Sequence, residues 1–258
     1  MGFWESAMAA YDALSAANKA VPFHLQFQHD FYQSFVQSSR WLQYLKGLGV
    51  TFEVTVAALV IGVILGLLVA VVRTLHDQQR PGRRNPLLST LNGVCKVYTT
   101  VIRGTPMMVQ LLIMYMVIFA GTRNQMGVAI LTFGINSGAY VSEIIRSGIM
   151  SVDQGQMEAG RSLGLPYSAA MRFIIIPQAV KNILPALGNE LITLFKDTSI
   201  VTVIGLVDLT KAALLIQSKA YQAMLPLLGI AVMYLVVVMI LTWLLGMLER
   251  RLRQSDRR

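Results

Sequence analysis

Few residues in this chain are placed to do chemistry, and they fall into two sets. In the first, charged side chains lie inside or beside long apolar stretches: Arg103, Glu143, Arg146, Glu190, Lys196 and Asp197. A charge at such a position is costly in lipid, so it normally faces a cavity, a partner or a helix end. Thr105, Gln110, Asn136 and Tyr140 supply polar groups in the same stretches. Asn136, Tyr140 and Glu143 are spaced four and three apart, which places them on one helix face. A cation such as Arg103 or Lys196, with free amides near Gly104 and Thr105, suits a carboxylate. Glu143, Glu190, Asn136 and Asp197 suit an ammonium. Plainer uses stay open for several of them. Glu143 and Arg146 can form an intrahelical pair, Arg103 can snorkel to an interface, and Lys196 can pair with Asp197.

The second set lies in Met157–Pro177, the one long central stretch polar enough to leave a membrane. It carries Glu158, the small pair Ala159 and Gly160, Gly164 six positions after the acid, Pro166, and an apolar triplet ending in Pro177. These types offer no catalytic chemistry. They suit a polar loop outside the membrane, with a helix end and a turn at Gly164–Pro166, that another surface can grip.

Other classes of chemistry lack their parts. There is no Gly-rich Lys-Ser/Thr loop to cradle a nucleotide. His24, His29 and His76 lie outside the apolar blocks without metal-ligand spacing. No Ser-His-Asp arrangement can be argued, and the single cysteine, Cys95, permits no intrachain disulfide. Glu143 and Glu190 suggest a proton relay, but they form no paired dyad and no inverted repeat is evident, so an ion- or proton-coupled carrier stands only as the alternative.

The elements that must position both sets are membrane helices. Only 14% of the 258 residues are charged and 55% are hydrophobic, whereas soluble chains carry about 25% charged residues. The net charge of +9 is concentrated beside apolar blocks, which points to the positive-inside rule rather than to nucleic acid. The start lacks a basic region followed by an apolar run and does not read as a cleavable signal. Residues 1–40, divided by Pro22, read as short amphipathic helices on the membrane surface or as a flexible arm, outside the cytoplasm.

Residues 41–258 read as an all-α domain of about five spans. The first covers 45–72; its Gly62 and Gly66 allow close helix approach, read as ordinary packing. A loop with Arg80, Arg83 and Arg84 against Asp77 follows and marks the cytoplasmic side. The second span covers 88–120, with a proline kink expected at Gly104-Thr105-Pro106. The third covers 127–149. A polar loop, 151–172, then falls on the cytoplasmic side. The fourth segment, 173–206, holds Pro177, Pro185 and Gly188 and reads as kinked or broken helix along a cavity. Residues 207–223 read as an outer loop or surface helix. The last span covers 224–248, and the basic tail is cytoplasmic. The N-terminus is then outside and the C-terminus inside.

Glu158-Ala159-Gly160, Gly164, and Ile174-x-Ile176-Pro177 resemble the EAA loop of ATP-binding-cassette importer permeases in residue type and spacing, departing from the usual pattern at Gly160 and Ile176. The stretches 102–110, 139–152, 155–160 and 176–209 resemble the polar amino-acid permeases of that group, which import histidine, glutamine, glutamate, arginine and opines. The resemblance runs from about residue 47 to the C-terminus and does not cover the first 40 residues.

That resemblance implies a transport subunit in a bacterial inner membrane rather than an enzyme. Two such domains, identical or sister chains, would pair around one pathway and bind two ATPase subunits that hold ATP and Mg. An extracytoplasmic binding protein would deliver a polar amino acid. The loop would lie as a helix–turn–helix in a groove of the ATPase, with Glu158 near a helix start, where the dipole favours a carboxylate. Ala159 and Gly160 would admit another surface closely, and Gly164 and Pro166 would make the turn. ATP closure of the motors would open the spans outward, and hydrolysis would reverse this.

Overall fold

A computed structural model describes residues 3–79 and 85–254. The expected loop arginines Arg80, Arg83 and Arg84 lie outside the described residues, as does the end of the tail. Among the described residues the chain is helical, without strands.

Two short helices open it, α1 (Phe3–Ala16) and α2 (Phe23–Phe31), with Pro22 as the N-cap of the second. Proline is tolerated there because the first amides of a helix have no internal acceptor. Trp4 stacks on Phe31 at 5.9 Å and Tyr11 on His29 at 3.8 Å, so the two helices pack together. A π-helical turn, Tyr32–Val36, and two left-handed residues, Ser38 and Ser39, lead into α3 (Arg40–Asp77).

Helix α3 runs 38 residues, beyond the expected 45–72 at both ends. After α4 (Pro86–Gly104) and α5 (Met107–Ile113, continued as a π turn to Ile118) comes α6 (Gln125–Met150). Helices α7 (Gln154–Ser162) and α8 (Tyr167–Ala170) form the polar loop. A π turn, Met171–Ile175, then joins α9 (Ile176–Asp197), which tightens to a 3-10 helix over Thr198–Ile204. Helices α10 (Leu209–Ala220) and α11 (Met224–Gln254) complete the described chain.

Among the described residues, three helical runs are long and apolar enough to cross a membrane: those containing α3, α6 and α11. Two further runs are bent pairs, Pro86–Gly104 with Met107–Ile118 at 108° and Tyr167–Ile204 with Leu209–Ala220 at 50°; counting each as one crossing gives five.

Helices α3 and α6 form the most extensive pair. Their contact is a seam of small residues. A Cβ on Gly62 would stand 2.7 Å from Ser137 Oγ, and one on Gly66 would stand 2.6 Å from Val141 Cγ1. Lipid tails are as apolar as the helices, so close van der Waals packing drives such pairing.

The interruption expected at Gly104-Thr105-Pro106 is present as a full break: Pro106 stands between α4 and α5 as the N-cap of α5, and the two helices meet at 108°. The structure corrects two expectations. The segment after the polar loop is not broken: Pro185 lies inside α9, and the helical run continues to Ile204. Residues 209–220 are not a surface helix: Leu209, Ala212, Ala213, Ile216 and Ala220 are buried, and α10 packs on α3 and α11. Asp208 caps α10 with bonds from the amides of Thr210 and Lys211, and accepts the Thr202 hydroxyl.

Candidate functional site: a polar break and a coupling segment

The first candidate region is built around the break between α4 and α5. Ending α4 at Gly104 frees its last carbonyls. Gln110, one turn into α5, meets them: its Nε2 donates to the oxygens of Ile102 at 2.7 Å and Thr105 at 3.1 Å, and to Thr105 Oγ1 at 2.8 Å. Thr105 Oγ1 donates to Val101 O at 2.8 Å. Asn136 on α6 donates to Gln110 Oε1 at 3.0 Å and ties the break to the third span. A sharp bend at membrane depth is tolerated because side chains re-satisfy its backbone.

Arg103 is exposed beside this network, and its guanidinium lies 5.3 Å from the centre of the Tyr140 ring. Cation–π attraction holds it toward α6 without consuming its hydrogen-bond donors. Arg103, Thr105, Gln110, Asn136 and Tyr140 are therefore brought together. Next to Asn136, Ser137 Oγ donates to Glu190 Oε1 on α9 at 2.8 Å, which joins Glu190 to the same region.

The other charged candidates are arranged differently. Glu143 is bound by Arg73 of α3 and, at 3.3 Å, by Arg146 one turn along its own helix. The intrahelical pair was legible in the sequence; Arg73, 70 positions away, was not. Lys196 and Asp197 are exposed at the end of α9, and their side chains form no ion pair with each other. The free amides expected near Gly104 belong instead to the start of α5, because Gly104 is at the carbonyl end of α4.

The second region is the polar loop. Asp153 caps α7 by accepting the Gly155 amide at 2.6 Å. The helix ends in a Schellman turn: Gly164 N bonds Arg161 O at 3.0 Å and Leu165 N bonds Gly160 O at 3.2 Å, with Gly164 at φ 87°. Only glycine takes that conformation without Cβ strain. Pro166 then opens α8. Helix, turn and helix therefore stand where the resemblance implied them.

Two details differ from expectation. Glu158 is the fifth residue of a nine-residue helix, not near its start; the acid at the N-terminus is Asp153. Gly160 is buried against this chain, with an added Cβ only 2.7 Å from Ile174 Cδ1, so it admits the return arm rather than a foreign surface. Glu158, Ala159 and Pro166 are exposed, as is Gly164. Leu163, missed in the sequence, is 85% exposed at the tip of the turn. Its signal was an apolar residue directly before the turn glycine in an otherwise polar stretch.

Residues 86–254 match the family described as the binding-protein-dependent transport system inner membrane component. The chain belongs to this family. It is 38% identical over 218 residues to the arginine transport system permease protein ArtQ of Bacillus subtilis, covering 82% of this chain and 93% of that protein. It is 35% identical over 213 residues to the glutamine transport system permease protein GlnP of Escherichia coli K12, covering 81% and 92%. A crystal structure of an amino acid ABC transporter with histidines superposes at TM-score 0.75 and 39% identity, over 90% of this chain and 99% of that one. The MetNI methionine transporter shares the fold, at TM-score 0.70 and 18% identity. The chain is thus a transport permease subunit of an inner membrane.

Proposed function

We propose that this permease subunit carries a polar amino acid inward, powered by ATP hydrolysis in a separate subunit. The observation that carries the proposal is the segment 153–170, a capped helix, a glycine-dependent turn and a second short helix, with Glu158, Ala159, Leu163 and Pro166 turned outward. A capped, exposed helix–turn–helix on a chain with no nucleotide loop of its own gives an ATPase something to grip. Two ATPase subunits holding ATP and Mg, a second permease that is identical or a sister, and an extracytoplasmic binding protein complete the assembly. The coupling segment and C-terminus lie in the cytoplasm and the N-terminus outside. Residues 1–40 rest at the outer surface, where the Phe23, Phe27 and Phe31 stripe suits the lipid interface.

Within the pathway, Arg103 and the amides opening α5 receive the substrate carboxylate, and Glu190 with Asn136 receives the ammonium. Glu143 is a lock between α3 and α6, since both of its oxygens are engaged by arginines. Lys196 and Asp197 meet the solute at the end of α9.

Reconstitution tests this reading. The chain with an ATPase partner and a loaded binding protein should take up amino acid only when ATP is supplied. Uptake by this chain alone, driven by an ion gradient, would instead establish a secondary carrier.

A further inference from the structure

Helices α3 and α9 present two facing stripes. Leu67, Val71 and Leu75 recur every four residues on α3, and all are about half exposed. Arg172, in the π turn before α9, and Ile176 and Val180 of α9 recur every four residues opposite them. Between the stripes the floor is formed by Ala70 and Ala179, buried at 1% exposure each, with Ile145 and Ile149 of α6 beside them. Together they enclose a groove with a cavity of about 530 Å³.

The exposed lining of the groove is almost wholly apolar. Leu67 and Val180 stand toward one end; the residues that bear polar groups, Gln78, Tyr167, Ser168 and Arg172, stand at the other, beside the coupling segment. From Leu67 to Gln78 the α3 wall is about 16 Å long at about 1.5 Å per residue. That is close to half of a hydrocarbon core of about 30 Å, the depth of one leaflet. The adjoining cleft holds Arg146 together with Asp77 and Asp153. Arg172 is different: among the described residues no carboxylate pairs with it, and its guanidinium lies 5.5 Å from the Phe173 ring.

We infer that this groove is a binding site for one phospholipid of the cytoplasmic leaflet. One acyl chain lies between the stripes of α3 and α9, and the phosphate sits at Arg172 with the Tyr167 and Ser168 hydroxyls. Charge, length and polarity all run in the direction such a molecule needs. The placement uses the same membrane orientation as the proposed function but not the identity of the solute. Since Tyr167 and Ser168 belong to α8, the lipid would brace the coupling segment against the first span.

The test uses the full chain in lipid nanodiscs, with phosphatidylglycerol bearing a diazirine partway along one acyl chain. Diacylglycerol with the same chain is the comparison probe. Peptides are mapped after photolysis. Labelling should concentrate on 67–78 and 172–183 relative to the lipid-facing surface of α11. Val180→Trp, a change on an exposed wall, should abolish groove labelling by both probes and leave α11 labelling as it was. Arg172→Gln should lower phosphatidylglycerol labelling about tenfold, the scale of a lost charge-assisted hydrogen bond, and leave diacylglycerol labelling unchanged. Uniform labelling of every lipid-facing helix would mean bulk lipid only and overturn the site. Labelling that Val180→Trp does not reduce would overturn it too, as would a groove shielded from both probes by a second copy or an ATPase in the assembled complex. Equal effects of Arg172→Gln on both probes would remove the headgroup contact on which the assignment rests.

Discussion

Gly164 offers the sharpest test of the coupling segment. Its φ of 87° lies in the left-handed region, and it closes α7 through the Gly164–Arg161 and Leu165–Gly160 bonds. An L-residue with a Cβ costs about 1–2 kcal/mol there. No neighbouring atom lies within 4 Å of where that Cβ would sit, so the penalty is backbone strain alone. Helix α7 has nine residues, fewer than the ~12–15 at which an isolated helix is even marginal. A loss of about 1.4 kcal/mol at its cap shifts the frayed population about tenfold. Asparagine tolerates the left-handed region better than other side chains, and β-branched residues tolerate it least. Protection of the Gly164 and Leu165 positions against hydrogen exchange should therefore rank Gly above Asn, Asn above Ala, and Ala above Val. Membrane insertion should be equal in all four proteins, because the turn is exposed. In the reconstituted transporter, stimulation of the ATPase by the loaded binding protein should fall in the same order. Equal exchange for Gly and Val would refute the backbone argument. Altered exchange with unaltered coupling would refute the role of the segment.

Three further outcomes follow from the geometry. Glu158→Lys reverses an exposed charge on α7 and should leave the chain in the membrane while detaching or uncoupling the ATPase, read by co-purification and by uptake per ATP. Gln110→Leu leaves the part-buried Ile102 carbonyl and Asn136 amide, and the exposed Thr105 carbonyl, without their partner, at about 1 kcal/mol for each of the first two; the Tm in detergent should fall, and an unchanged Tm would show that the break satisfies itself otherwise. Arg103→Ala should depress transport with assembly intact, Arg103→Lys should keep part of it, and normal kinetics in both would place Arg103 among structural residues.

How much was legible depends on the range of each signal. Helices α6 and α11 could be placed because length and apolarity are local properties. The turn at Gly164 was legible too, since a glycine between polar helix and proline is a local stop signal. The start of α7 was also available in Asp153, an N-cap residue, but spacing drew the eye to Glu158. Helix α10 had its own marks, a capping Asp208 and Ala212, Ala213, Ile216 and Ala220 on one face; Lys211 and Lys219 drew the reading toward the surface instead. The Arg73–Glu143 pair and the Gln110 network were out of reach, because each joins helices whose rotation about their axes no local pattern sets. Membrane helices make that worse. In a soluble bundle the buried face is the apolar one, but here lipid and protein ask for the same side chains, so hydrophobic periodicity cannot orient α3 against α6. Side-chain size can. Gly62 and Gly66 on α3, and Gly134 and Gly138 on α6, repeat at the same interval. A Cβ on Gly134 would stand 2.6 Å from Ile61 Cγ2, and one on Gly138 would stand 2.9 Å from Leu65 Cβ. Read together rather than as ordinary packing within one span, the two small-residue stripes pair the first and third spans and fix their facing sides. That rotation in turn sends Asn136 toward the α4 break and Ser137 toward Glu190, which is how packing with no polar chemistry of its own assembles the polar region.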